Sequence, residues 1–197
     1  MRTADLAGGV RAPPRRGRPG ATPPARRRAS DLRDVQFGWL GHRAGQGQDA
    51  ERGDPEASRQ VSAFVDTSVW YAATDTADAR HQRVREILEA GEPLITSDHV
   101  LVETWLLINA RRHHSGADDF WKEIRAGAAR VESTTPSDME VAWQIGERFP
   151  DQGFSLVDRT SFATMMRLGI TRVASFDSHF AVFRYGPRDS LAFEVLR

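Results

Sequence analysis

The residues best suited to chemistry in this sequence are four carboxylates in unusual settings. Asp66 stops the apolar run Ala63-Phe64-Val65, and Asp177 stops Val173-Ala174-Ser175-Phe176. Glu103 interrupts an apolar stretch between Val102 and Thr104-Trp105, and Asp158 stands near the start of the amphipathic segment 155–168. Each has a plain reading alone. Glu103 suits a solvent-facing helix position, Asp158 suits a helix start where the dipole favours an acid, and the strand-end Asp residues suit helix caps. Taken together they say more. Crowded acids repel one another and take up protons unless a cation compensates them. The sequence contains no Cys, which excludes disulfides, thiolate zinc sites and cysteine catalysis. All-oxygen ligands suit Mg²⁺, or Mn²⁺, and the chemistry that follows is metal-assisted hydrolysis of a phosphodiester.

Elements must bring these acids together, and the sequence pattern supplies them. Short apolar runs bounded by polar residues read as strands over 61–65, 93–96, 129–133 and 172–176, with a final edge strand over 191–196. Helical spacing runs through 78–90, from Ser97 or Asp98 to about Arg112, through 117–125, from Thr135 to about Phe149, and through 155–168. A helix-like pattern also follows Asp66-Thr67-Ser68. The helix beginning at Ser97 or Asp98 is apolar on more than one stripe, which predicts deep burial. Trp121 and Trp143 fall on the faces expected to point inward. Strands alternating with helices imply an α/β fold, a mostly parallel sheet flanked by helices on both faces. In such folds ligands bind in the crevice beyond the C-terminal strand ends. Asp66 and Asp177 are expected there.

These motifs resemble a known family. Asp66-Thr67-Ser68 after a strand, Glu103 on a helix, Leu156-Val157-Asp158 opening a helix, and Val173-Ala174-Ser175-Phe176-Asp177-Ser178-His179-Phe180 match the pattern of the PIN domain. More closely, they resemble the VapC-type toxins of bacterial toxin–antitoxin pairs. The resemblance covers about residues 61–197. It implies a three-layer PIN-like fold and a Mg²⁺-dependent endoribonuclease (Mn²⁺ being the other candidate ion). In that reading Asp66, Glu103, Asp158 and Asp177 are the catalytic and metal-binding acids, with Ser68 and Ser175 as supporting hydroxyls. It further implies a homodimer and a small antitoxin protein that blocks the site.

Other residues have blander readings. His113-His114 suit a solvated helix end. His179 suits either an RNA contact or packing beside Phe180, and Arg159 suits a phosphate contact or a pair for a site acid. Trp70, Trp105, Trp121 and Trp143 read as core. Two further function classes compete with the nuclease. A non-catalytic RNA-binding or assembly module on the same scaffold predicts a missing acid, and all four are present. A phosphatase-like or receiver-like domain needs a Lys near the site, and the phosphatase pattern also needs a second acid where Ser68 stands. Lys122 is the only Lys in the chain.

The chain has 197 residues and a formal net charge of +0, but its two parts differ. Residues 1–60 hold 12 Arg against 7 Asp and Glu, about +5, whereas 61–197 hold 15 Lys and Arg against 20 acids, about −5. The first 60 residues, rich in Arg, Pro and Gly, read as a disordered extension. Its Arg run suits a nucleic-acid contact or a plain disordered extension, such as a start codon placed too far upstream would add, and the abrupt onset of the folded pattern at Val61 favours the plain extension. No run approaches the roughly 18 apolar residues of a membrane helix, and a cytoplasmic protein is expected.

Overall fold

The computed structural model describes residues 62–197. The expected extension over 1–60, with its Arg run, lies outside the described residues. Ala63–Val65 (β1), Leu94–Ser97 (β2), Arg130–Glu132 (β3), Arg172–Ala174 (β4) and Glu194–Leu196 (β5) form one sheet in the order β3-β2-β1-β4-β5. Every pairing is parallel. The helices are Thr67–Ala73 (α1), His81–Glu89 (α2), Asp98–Arg111 (α3), His114–Arg125 (α4), Pro136–Arg148 (α5), Leu156–Leu168 (α6) and the short His179–Val182 (α7). Parallel strands need crossover connections, and the helices between them supply these.

The order has a direct consequence for the site. The chain leaves β1 towards β2 on one side and returns to β4 on the other. The strand order therefore reverses beside β1, and a crevice opens at its C-terminal end. Val65 pairs with Ala174 in register, and the Asp66 N–H continues the ladder to the Ala174 carbonyl at 3.0 Å. Asp66 and Ser175 are thereby neighbours at the lip of the sheet.

Local signals set the helix starts. Ser97, Thr135 and Ser155 each accept from a backbone N–H at the head of α3, α5 and α6, and the last two form reciprocal capping boxes with Asp138 and Asp158. His113 caps α4, its ring nitrogen accepting the Gly116 N–H at 2.8 Å, so α4 begins three residues before the predicted start at Ala117. Gly169 ends α6 at φ 67°, a left-handed conformation that costs glycine nothing.

Phe64, Val65, Trp70, Phe120, Ile108 and Leu88 lie at the centre of the core. The buried Trp70 indole donates to Thr96, whose hydroxyl donates to the Val65 carbonyl, so α1 is pinned to β1 and β2 by satisfied polar groups. A second cluster of Phe149, Phe154, Phe162, Phe180, Phe183 and Phe193 packs under α6 and α7, with Phe162 and Phe183 stacked at 4.1 Å.

Three packing expectations need correction. The helix α3 buries Val100, Leu101, Thr104 and Ile108 but leaves Val102 and Leu106 more than half exposed. Its apolar residues occupy a buried face and a separate surface stripe. Trp121 and Trp143 are exposed, at 40% and 64%, because the inward faces of α4 and α5 are taken by Phe120 and Ile124 and by Ala142 and Ile145. Finally, the last predicted strand is shorter than 191–196 and covers only Glu194–Leu196.

Candidate active site

Two groups of side chains meet beyond the C-terminal ends of β1 and β4. The first centres on Asp66, which caps α1 and is 6% exposed. Its Oδ2 accepts three donors: the Ser68 hydroxyl at 2.7 Å, the Ser175 hydroxyl at 3.0 Å and the Ser68 N–H at 3.2 Å. The two hydroxyls also accept backbone donors that follow β4. Ser68 Oγ takes the Phe176 N–H at 2.9 Å, and Ser175 Oγ takes the Asp177 N–H at 3.0 Å. Both serines thus join the Asp66 strand end to the Asp177 turn. Burial pushes the Asp66 carboxyl up to about 6; the serine donors oppose the shift and the negative charge of Asp158 adds to it.

The second group is Asp158, Asp177 and His179. Asp158 Oδ2 accepts the Ser155 N–H at 2.8 Å and lies 3.0 Å from His179 Nδ1. Asp177 Oδ1 accepts the His179 N–H at 2.8 Å and is 3.4 Å from the same ring nitrogen. One ligand atom from each of the three residues falls within 4.8 Å of the others.

Glu103 enters from α3, where its Oε2 accepts the Thr67 hydroxyl at 2.5 Å. Thr67 directly follows Asp66, so Glu103 is tied to the residue next to the buried acid. Asp66 is linked to the Asp177 turn through the serines, and Asp177 to Asp158 through His179. Glu103 is linked through Thr67.

Comparison with known proteins agrees with this fold. A family model for the PIN domain matches residues 63–184. The chain belongs to the PIN-domain family. Over 119 residues it is 39% identical to the 23S rRNA-specific endonuclease VapC20 from two Mycobacterium tuberculosis strains, covering 60% of this chain and 91% of each relative. The crystal structure of M. tuberculosis VapC20, described as a sarcin–ricin loop cleaving toxin, superposes with a TM-score of 0.57 at 38% identity, covering 60% of this chain and 92% of that one. A toxin–antitoxin complex from Klebsiella pneumoniae has a chain with TM-score 0.48 at 13% identity, covering 61% and 92%.

The donor set of this PIN domain suits a divalent cation. Carboxylate oxygens dominate it, with one imidazole beside them, which fits Mg²⁺ or Mn²⁺. The upward shift of Asp66, caused by burial and reinforced by Asp158, is the penalty that a cation in the crevice would offset.

Two site residues lay outside the predicted set. Thr67 was visible only as the middle of Asp66-Thr67-Ser68, and its partner is 36 positions away on α3. For His179, packing beside Phe180 or touching RNA was expected. The ring contacts Asp158, and the signal was its place two residues after Asp177, where a backbone N–H commonly folds back onto an Asp side chain. Arg159 does not pair with a site acid. Its Nε donates to the Ser155 carbonyl, and its guanidinium lies against Gly146 of α5, where a Cβ would come within 2.0 Å of Nη1.

Proposed function

We propose that this protein is a divalent-metal-dependent endoribonuclease of the VapC toxin type, acting in the cytoplasm. The observation that carries this reading is the meeting of Asp158, Asp177 and His179 beyond the end of β4, beside a buried Asp66 that Ser68 and Ser175 join to the Asp177 turn and that is destabilised as an anion. Asp66, Glu103, Asp158 and Asp177 are the catalytic acids and hold Mg²⁺ or Mn²⁺. A divalent ion bound there would lower the pKa of the attacking water and neutralise charge developing on the phosphate. Ser68 and Ser175 fix the Asp66 carboxylate and the turn that carries Asp177. Glu103 is held by Thr67, the residue next to Asp66.

The 39% identity to a 23S rRNA-specific endonuclease makes large-subunit ribosomal RNA the first substrate to test. A homodimer fits the exposed stripe of Val102 and Leu106, four residues apart on α3. A small antitoxin protein that covers the crevice completes the proposal. It rests on the likeness to a toxin. Among the described residues no helix is long and apolar enough to cross a membrane.

The test is incubation of the purified protein with ribosomal RNA in Mg²⁺, in Mn²⁺ and in chelator, with Asp66→Asn as control. Discrete cuts that need the ion and vanish in the variant are expected. Retention of RNA without any cut, by folded metal-loaded protein, would replace the nuclease with a non-catalytic RNA-binding module.

A further inference from the structure

His179 touches both acids of the open half of the site, through two different groups. Its backbone N–H donates to Asp177 Oδ1 at 2.8 Å, and its ring Nδ1 lies 3.0 Å from Asp158 Oδ2. The flanking structure holds the residue in place. The ring sits edge-on to Phe154, with centroids 5.2 Å apart at 82°, and the next residue, Phe180, is fully buried in the aromatic core. Asp158 is already anchored by the Ser155 N–H on the same oxygen, Oδ2. Two donors therefore converge on Oδ2, and Oδ1 takes part in neither bond. Asp66 shows the same division, with three donors gathered on its Oδ2.

Building on the divalent-ion reading of the site, we propose that His179 is a positioning residue. Its Nδ1–H holds Asp158 by one oxygen so that the other is presented to the ion. A nitrogen that carries this proton has no lone pair for a metal, so His179 acts through Asp158 and is not itself a ligand through Nδ1. Donors around a ligating carboxylate fix its orientation, and their loss typically costs about 10- to 100-fold in metal affinity or activity. Because the His179 backbone N–H donates to Asp177, changing the side chain releases Asp158 and the 3.4 Å ring contact with Asp177 while leaving that backbone bond in place.

The test compares Mn²⁺ binding by the full chain, measured calorimetrically without RNA, for wild type, His179→Ala, His179→Asn, His179→Gln and Asp158→Asn. The Asn amide nitrogen stands as far from the backbone as Nδ1, whereas that of Gln reaches towards the place of Nε2. His179→Ala and His179→Gln are expected to lose about 10-fold or more in affinity, and His179→Asn to recover most of it. Wild-type affinity in the Ala variant, or equal rescue by Gln and Asn, would overturn the proposal. Wild-type affinity in Asp158→Asn would instead sink the metal reading beneath it. Melting curves in chelator identify any variant that fails to fold, and a second measurement needs no variant. Nitrogen-15 spectra of the imidazole should show Nδ1 still protonated when Mg²⁺ is bound. Loss of that proton on binding would make His179 a ligand and overturn the positioning role.

Discussion

The two halves of the acidic crevice are built by different means. Asp66 is 6% exposed, Ser175 is fully buried, and three donors converge on one oxygen of the carboxylate. On the other side Asp158 is itself buried, but the side chains of Asp177 and His179 beside it are 38% and 31% exposed. Burial makes the first half rigid and electrostatically costly. The second half trades some order for access, as a site that must admit a phosphodiester requires. The same carboxylate chemistry thus has an anchoring side and a receiving side.

The largest effect that tests this contrast comes from replacing the two acids separately. Asp66→Asn and Asp177→Asn should each cut RNA cleavage by on the order of 10³-fold, since several kcal/mol of charge stabilisation depend on the ion they hold. Their stabilities should diverge. Asp66 titrates at about 6 in the fold against 3.8 for a free carboxyl, so its proton is bound more tightly by the folded state. Its contribution to stability is fully present below pH 3.8 and is lost as pH rises through 6. In chelator at pH 7.5, Asp66→Asn should therefore melt higher than wild type, by at most about 3 kcal/mol of stability. Asp177→Asn should leave the melting temperature nearly unchanged. Equal shifts in the two variants would erase the distinction between the halves.

Removing a hydroxyl on the anchoring side should cost less. Ser175→Ala deletes a donor to Asp66 and the acceptor of the Asp177 N–H, both buried, and should destabilise the protein by about 1–3 kcal/mol. Cleavage should fall about 10-fold, with the main loss in kcat, because the acids remain but their orientation loosens. An unchanged kcat would show that Ser175 supports only the fold.

Binding without chemistry sharpens the receiving side. The described domain lies within a segment of about −5 charge, and RNA is repelled by it over distance. Filter binding by residues 61–197 should be at least about 10-fold weaker in chelator than in Ca²⁺, an ion that fills oxygen sites. Tight binding in chelator would place the RNA contact away from the acids.

The smallest effect on activity should come from the far end of α6. There Arg167 donates to Asp138 at 3.0 Å, which joins α6 to the head of α5. Burial works to raise the Asp138 pKa, but the hydrogen bonds from Arg167 and Thr135 outweigh it and hold the carboxyl below the usual value. Its stabilisation is present above the unfolded pKa and is lost as pH falls through the depressed one. Asp138→Ala should lower stability by about 1–3 kcal/mol near neutral pH, with the difference from wild type shrinking in acid. Specific activity of the folded fraction should stay within about 2-fold, because Arg167 lies nine residues along α6 from Asp158, about 13 Å.

Much of this molecule was written in local sequence. An apolar run ending in Asp followed by Thr and Ser reads as a strand entering a helix, and Asp66 caps α1 as that pattern requires. The alternation of strands and helices determined a parallel sheet, because parallel neighbours need helical crossovers. The strand-end position placed Asp66 directly after β1, whereas β4 stops at Ala174, short of the expected strand end, and Asp177 follows in the turn beyond it. Other features depended on partners far apart in the chain. Which strands lie beside β1, and the register that sets Asp66 beside Ser175 across 109 positions, are decided by tertiary pairing. The Thr67–Glu103 bond and the contact of His179 with Asp158 arise only once four helices converge on the sheet edge. The exposure of Trp143 and Val102 shows the same limit from the other direction. Apolar character tells which side chains gain by leaving water, but the number of neighbours available on each helix face decides which of them can.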